Sequence, residues 1–217
     1  VDAQESEGGV ELVINVNENP MISEVNIMGN DKIRTNAILE AQNLTKGGFY
    51  SSNNINANAS LIKDYYLSKG YVDVTVEANI NEKDDNTVIV NYTINEGRQY
   101  KVRSVLFEGI SGLGREELKK LLTTKEKSFF DSGNFIAANM DKDKEALVSY
   151  YTTKGYPDAY IENTEIVPLD DESTESTRYI NIVYSINEGE LWTIGVISFE
   201  GNSVFPDSNI TPLITVY

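Results

Sequence analysis

The 217-residue chain contains no cysteine and no histidine. Without cysteine there is no disulfide, no thiol nucleophile and no zinc-thiolate site, and either an oxidising or a reducing compartment is compatible with the composition. Without histidine the commonest general base and metal ligand is missing too. No run of about 18 apolar residues occurs and the N-terminus does not read as a signal peptide, so no segment is expected to span a membrane and this piece is expected to be soluble. Basic clusters are as scarce: 18 Lys and Arg face 34 Asp and Glu, the formal net charge is -16, and no basic stretch exceeds Lys119-Lys120. That argues against nucleic acid and against anionic lipid as partners.

What is present is 40% hydrophobic and 24% charged, enough for two small globular domains and too apolar for general disorder. The chain repeats itself. ISEVNIMG at 22–29, VRSVLFEG at 102–109 and IGVISFEG at 194–201 are one element; VELVINVNEN at 10–19, VIVNYTINEG at 88–97 and INIVYSINEG at 180–189 are another. A third, SKGYVDVTV at 68–76 and TKGYPDAYI at 153–161, recurs between them. The spacing predicts two complete units, 21–97 and 98–189, with 1–20 as the C-terminal hairpin of a preceding unit and 190–217 as the start of a following one.

Within a unit the periodicities predict five elements. Val25/Ile27 and Val105/Phe107 alternate as a short strand closed by glycine. Ile33, Ile38 and Leu39, answered by Leu118, Leu121 and Leu122, give a first helix. Ile55, Ala59, Ile62 and Tyr66, answered by Met140, Leu147 and Tyr151, give a second, with N-caps expected at Ser51/Ser52 and Asp131/Ser132. Gly70 and Gly155 are expected to end it in a left-handed C-cap, with Tyr71 and Tyr156 folded back over the end. A half-buried hairpin then runs from 72–80 into Val88, Val90, Tyr92 and Ile94, and from Ala159 and Ile161 into Ile180, Ile182, Tyr184 and Ile186. The expected fold is α+β: tandem β-α-α-β-β units, each a three-stranded mixed sheet covered by two antiparallel helices.

Gly29-Asn30, Tyr66, Gly70-Tyr71 and Glu96-Gly97 in the first unit, with Phe107-Glu108-Gly109, Tyr150-Tyr151, Gly155-Tyr156 and Glu188-Gly189 in the second, resemble the motifs of the POTRA domain. The tandem array, which covers essentially the whole chain, is similar to the periplasmic arm of BamA-type outer-membrane protein assembly factors. Ile110-Ser111-Gly112-Leu113-Gly114 departs from the asparagine usual after the first turn, and no membrane barrel is present in this stretch. The resemblance implies a periplasmic scaffold, the soluble arm of an outer-membrane protein, that docks unfolded outer-membrane proteins, periplasmic chaperones and accessory lipoproteins. An extracellular structural or adhesive array, or the POTRA region of a two-partner secretion transporter, stands as the alternative.

Chemistry of other kinds finds little support. The glycines at 109, 112 and 114 are spaced GxxGxG rather than as a dinucleotide fingerprint, and read as a turn. Asp84-Asp85 and Asp170-Asp171-Glu172 lack the alternating ligands of a calcium loop. Glu96, Glu188 and the divergent Glu18 recur with the unit, as junction turns would; no enzyme, cofactor or metal is expected. Tyr65/Tyr66 and Tyr150/Tyr151 read as one core and one rim residue each. Sequons at Asn43, Asn58, Asn91 and Asn209 are explained by an asparagine-rich chain.

If the last strand is central, the strand before it lies at the sheet edge with unpaired N-H and C=O groups. The residues expected to take an added strand from a partner are Val72, Asp73, Val74, Thr75, Val76, Glu77 and Ala78 in the first unit and Asp158, Ala159, Tyr160, Ile161 and Glu162 in the second. Asp73, Glu77 and Glu162 are candidate edge guards, and Pro157 is expected to shorten the second edge. Gly97-Arg98 and Gly189-Glu190 are the expected hinges.

Overall fold

The computed structural model describes residues 2–6, 9–14 and 18–214, with side chains at 9, 13, 14 and 18–214. Asn17, the first residue of the divergent third ending, lies outside them. The chain divides into two compact units, Val1–Tyr66 with Asp73–Gly97, and Leu67–Val72 with Arg98–Tyr217.

In the first unit β1 (Asp2–Ser6) and β2 (Gly9–Val13) pair antiparallel as a two-stranded sheet. There follow β3 (Met21–Met28), α1 (Thr35–Ala41), α2 (Ser52–Ser68), β4 (Thr75–Glu82) and β5 (Thr87–Asn95). Their sheet has the order β3-β5-β4, with β3 parallel and β4 antiparallel to β5. The second unit repeats the plan with β6 (Gln99–Glu108), α3 (Arg115–Leu121), α4 (Ala137–Thr153), β7 (Tyr160–Leu169) and β8 (Thr177–Asn187), in the order β6-β8-β7. This is an α+β fold.

The last strand of each unit is central because it carries the most apolar alternating pattern. Val88, Val90, Tyr92 and Ile94 are buried on β5, and Ile180, Ile182, Tyr184 and Ile186 on β8. Helices cover that face: Leu118 of α3 and Leu147 and Tyr151 of α4 join one buried cluster with Val102, Val105 and Phe107 of β6. In the first unit Ile38, Ile55, Ile62 and Tyr66 are buried from α1 and α2, and the Tyr92 hydroxyl donates to the Ile55 carbonyl across 3.1 Å. Burial raises the Tyr92 phenol to about 12.

Gly70 and Gly155 end the second helices at φ +89° and +91°, the left-handed region that costs a side-chain-bearing residue most. Tyr71 is buried, and the Tyr156 ring meets Tyr151 edge-on at 5.7 Å.

Three local expectations are corrected. Asp131 and Ser132 do not cap α4, which starts at Ala137 after Ile136; the Asp131 carboxylate instead accepts from the Gly133 N-H and tightens the preceding loop. Ile33 precedes α1 rather than lying in it. Residues 194–201 form no strand, since they find no ladder partner among the described residues; α5 (Asp207–Ile210) follows them.

Candidate functional site: sheet edges and a buried carboxylate clamp

Among the described residues β4 and β7 each pair on one side only, with β5 and β8. β4 runs in unbroken register from Thr75↔Asn95 to Glu82↔Val88. It presents Val76, Ala78 and Ile80 half-buried and Thr75, Glu77 and Asn79 exposed. β7 is irregular: its register slips between Ile161 and Asn163, so that Glu162 falls in a bulge, and Pro168, opposite Ile180, has no N-H to offer. Pro157 lies in the turn before the strand, so the proline that interrupts this edge is Pro168. Tyr160 and Ile161 open β7.

The edge begins later than the alternation suggests. Val72, Asp73 and Val74 precede β4, and Asp158 and Ala159 precede β7. Val74 and Ala159 are buried, and Val72 packs on the core of the second unit. Asp73 and Asp158 lie against Gly97 and Gly189, where an added Cβ would sit 3.0 and 3.1 Å from theirs. These five residues carry the chain around the helix end, where Val74 and Ala159 turn into the core and Asp73 and Asp158 stay exposed.

The other outer strands are partly covered. The Ile22 N-H donates to Gly48 O (2.8 Å) and Ile22 O accepts from Gly47 (2.7 Å); Val102 N-H donates to Gly133 O (2.7 Å) and Val102 O accepts from Lys127 (2.8 Å). Both strands bulge at the next step, between Ile22 and Glu24 and between Val102 and Ser104. Beyond the bulge the two units differ: the Val105 N-H donates to Glu126 Oε1 at 2.7 Å, and Glu126 pairs with Lys119 Nζ at 2.8 Å.

The recurring Glu-Gly has a role that reading it as a junction turn missed. Glu96 and Glu188 are among the few buried charged side chains. Glu188 accepts from Ser111 N (2.9 Å), Ser111 Oγ (2.7 Å), Gly112 N (3.1 Å) and Tyr151 Oη (2.9 Å). Glu96 accepts from Lys32 N (3.0 Å), Ile33 N (3.3 Å) and Tyr66 Oη (2.9 Å). Each carboxylate ties the end of the central strand to the turn after the first strand and to the core tyrosine of the second helix. The available signal was the co-occurrence of Tyr66 with Glu96 and of Tyr151 with Glu188.

The clamp settles what the GISGLG loop does. Its N-H groups do hold an anion, and the anion is Glu188. A Cβ at Gly112 would also lie 2.0 Å from the Tyr156 hydroxyl oxygen, so a larger residue there has to displace the Tyr156 side chain. Burial pushes the Glu188 carboxyl up, but the hydrogen bonds from Ser111, Tyr151 and Gly112 outweigh it and carry it below the ordinary value. Burial, with the Glu188 carboxylate beside it, pushes the Tyr151 phenol up.

A second polar pair repeats one helical layer away. Asp143, fully buried on α4, accepts from Thr123 N (2.5 Å) and Thr124 N (3.2 Å) just past α3. Asn58 on α2 accepts from Asn43 N (2.6 Å) just past α1 and donates to Asn54 O. Two sequon asparagines are thus structural: Asn58 is buried, and Asn91 on β5 accepts from Asn26 across 3.0 Å. The acidic loops hold local partners. Asp85 accepts from Thr87 N and Oγ1, a bond that also lowers its carboxyl, while Glu172 pairs with Arg103 and Asp170 with Arg178. Gly97 and Gly189 adopt positive φ, each donating its N-H to the asparagine two residues earlier, with Arg98 and Glu190 following.

The fold defines the class of protein: a β-α-α-β-β unit repeated in tandem. The POTRA family model, described as surface antigen variable number repeat, matches residues 20–97 and 100–189, and the chain belongs to that family. It is 31% identical over 90% of its length to a protein of Treponema pallidum named as an outer membrane protein assembly factor, of which it covers 23%. It is 24% identical over 95% of its length to the outer membrane protein assembly factor BamA of Neisseria meningitidis serogroup B, covering 26% of that protein. The chain thus spans about a quarter of these relatives. Among solved structures, that of Haemophilus influenzae BamA POTRA3-5 matches 95% of this chain and 81% of its own, at 23% identity and a TM-score of 0.52, a likeness of fold. The chain is a tandem POTRA array of the kind found in BamA-type factors. Among the described residues no helix is long and apolar enough to cross a membrane.

Proposed function

We propose that this array is a periplasmic scaffold of an outer-membrane β-barrel assembly factor, docking unfolded outer-membrane proteins, chaperones or accessory lipoproteins partly by strand addition. The observation that carries this reading is the edge of β4, eight residues in unbroken register with β5 and, among the described residues, paired on no other side. An added strand is held by backbone hydrogen bonds that are indifferent to sequence, which suits a scaffold serving many extended β-rich clients. Half-buried Val76, Ala78 and Ile80 add apolar selectivity, and Glu77 keeps the free edge from pairing with a second copy.

β7, bulged at Glu162 and interrupted at Pro168, is the weaker acceptor of the two, with Tyr160 and Ile161 as its usable end. The names of the relatives support the assembly role. In the same reading 1–20 and 190–217 belong to neighbouring repeats, and Gly97-Arg98 and Gly189-Glu190 serve as hinges.

Titrating the isotopically labelled chain with a blocked, alternating apolar-polar peptide tests the edge. Amides of Thr75 to Glu82 are expected to shift saturably, and those of β7 more weakly. Shifts confined to helix residues would reject strand addition.

A further inference from the structure

The two units differ at one edge position in a way that defines a ligand. Val25 and Val105 occupy the same place, three residues after the covered Ile22 and Val102 and just past the same bulge. In the second unit the outward Val105 N-H is taken by the Glu126 carboxylate, itself paired with Lys119. The shared loop bonds, Gly47 N to Ile22 O and Lys127 N to Val102 O, put Lys46 where Glu126 stands. The equal seven-residue helices, with Ile38 and Leu118 buried at the same step, put Leu39 where Lys119 stands. The first unit therefore has the strand N-H and, in the carboxylate's place, a lysine. Among the described residues no side chain accepts from the Val25 N-H.

In that place is a groove of about 530 Å³, whose lining includes Glu24, Val25, Leu39, Leu44, Thr45 and Lys46. We propose that this groove on β3 is a second docking site, selective for an extended peptide that brings a carboxylate to the Val25 N-H and Lys46 and an apolar side chain to Leu39 and Leu44. The second unit supplies the pattern: Glu126 does internally what the ligand does in the first, and closes that unit's groove to the same ligand. A charge-assisted bond to a backbone N-H, backed by a lysine, is the stronger kind of hydrogen bond, so the carboxylate governs selectivity. The site is separate from β4 and β7 and does not depend on strand addition there.

The test is an amide-shift titration of the labelled chain with the blocked peptide Thr-Val-Glu-Val-Thr and its glutamine counterpart. The Val25 amide is expected to shift saturably with the glutamate peptide and to respond about five- to tenfold more weakly to the glutamine peptide, the worth of one charge-assisted bond. Transplanting the closed arrangement with Leu39→Lys and Lys46→Glu is expected to abolish the response. Opening the second unit with Lys119→Leu and Glu126→Lys is expected to make the Val105 amide respond. Unchanged β5 and β8 amides report that each variant is folded. A Val25 amide that stays still while β4 shifts, or equal affinity for the two peptides, overturns the inference and leaves the β4 reading intact.

Discussion

Replacing Glu188 by glutamine isolates what the carboxylate does, because size and position are kept while the charge is lost. Four donor groups converge on Glu188 within 2.7 to 3.1 Å: two backbone N-H groups, a serine hydroxyl and a tyrosine hydroxyl. The best arrangement of a glutamine puts its oxygen on Ser111 and Gly112 and its NH2 toward Tyr151, whose hydroxyl turns to accept. Every bond survives in that arrangement, but each drops from about 1.5–3 kcal/mol for a charged acceptor to about 0.5–1.5 for a neutral one. Over the three bonds that keep their direction the expected loss is about 3–4.5 kcal/mol. Glu188→Ala strips all four and should cost about 3–5 kcal/mol, a large part of the 5–15 that holds a domain together.

Hydrogen exchange at the β8 amides reads the opening of this unit separately from the first, where Glu96→Gln should reproduce the effect at β5. The pH dependence carries a sign. The folded-state value of Glu188 is depressed, so its contribution is complete above the unfolded carboxyl value of about 4.3 and is lost as pH falls through the lower folded value. The gap between wild type and E188Q should therefore close in acid. A cost below about 0.5 kcal/mol at pH 7, within the range of ordinary surface substitutions, would refute the clamp as a source of stability.

Two further changes test neighbouring claims. Gly112→Ala should destabilise the second unit by about 1–3 kcal/mol by thermal melting, because its Cβ meets the Tyr156 hydroxyl, and Tyr156→Phe should recover part of that loss; no recovery would place the strain elsewhere. Asp143→Asn should be tolerated within about 1.5 kcal/mol, since Asn58 does the same work in the first unit, while Asp143→Ala should cost about 1–3 by leaving the Thr123 and Thr124 N-H groups unpaired; equal costs would show that the side-chain oxygen is not what matters.

The elements that were legible are those whose side chains follow a period. Val88, Val90, Tyr92 and Ile94 announce a strand by alternation, and Ile55, Ile62 and Tyr66 a helix by spacing, and the structure buries all of them. The order of the sheet was only a condition in the sequence reading, with the last strand taken as central, and the structure has it so. Boundaries were harder to read. Val72 and Val74 continue the alternation of β4, but Val72 is in a turn and Val74 is buried, since packing at a helix end can reproduce an alternating pattern. Glu96 and Glu188 looked like turn residues because their partners stand 64 and 77 residues away in sequence, and no local rule connects them. The contrast of Lys46 with Glu126 needed the loop hydrogen bonds before the two positions could be matched.

The clamp also bears on the order in which a unit can be completed during synthesis or export, when residues emerge from the N-terminal side first. Lys32 and Ile33 are available long before Glu96, and β3 before the β5 strand that it must lie against. Helix α1, at seven residues, is too short to hold on its own, and neither it nor α2 has its strand to pack on until the final residues of the repeat arrive with β5 and its carboxylate. Each repeat is therefore closed by its last residues, and a nascent chain stalled a few positions short of Glu96 would hold helical segments and a first strand with no lock.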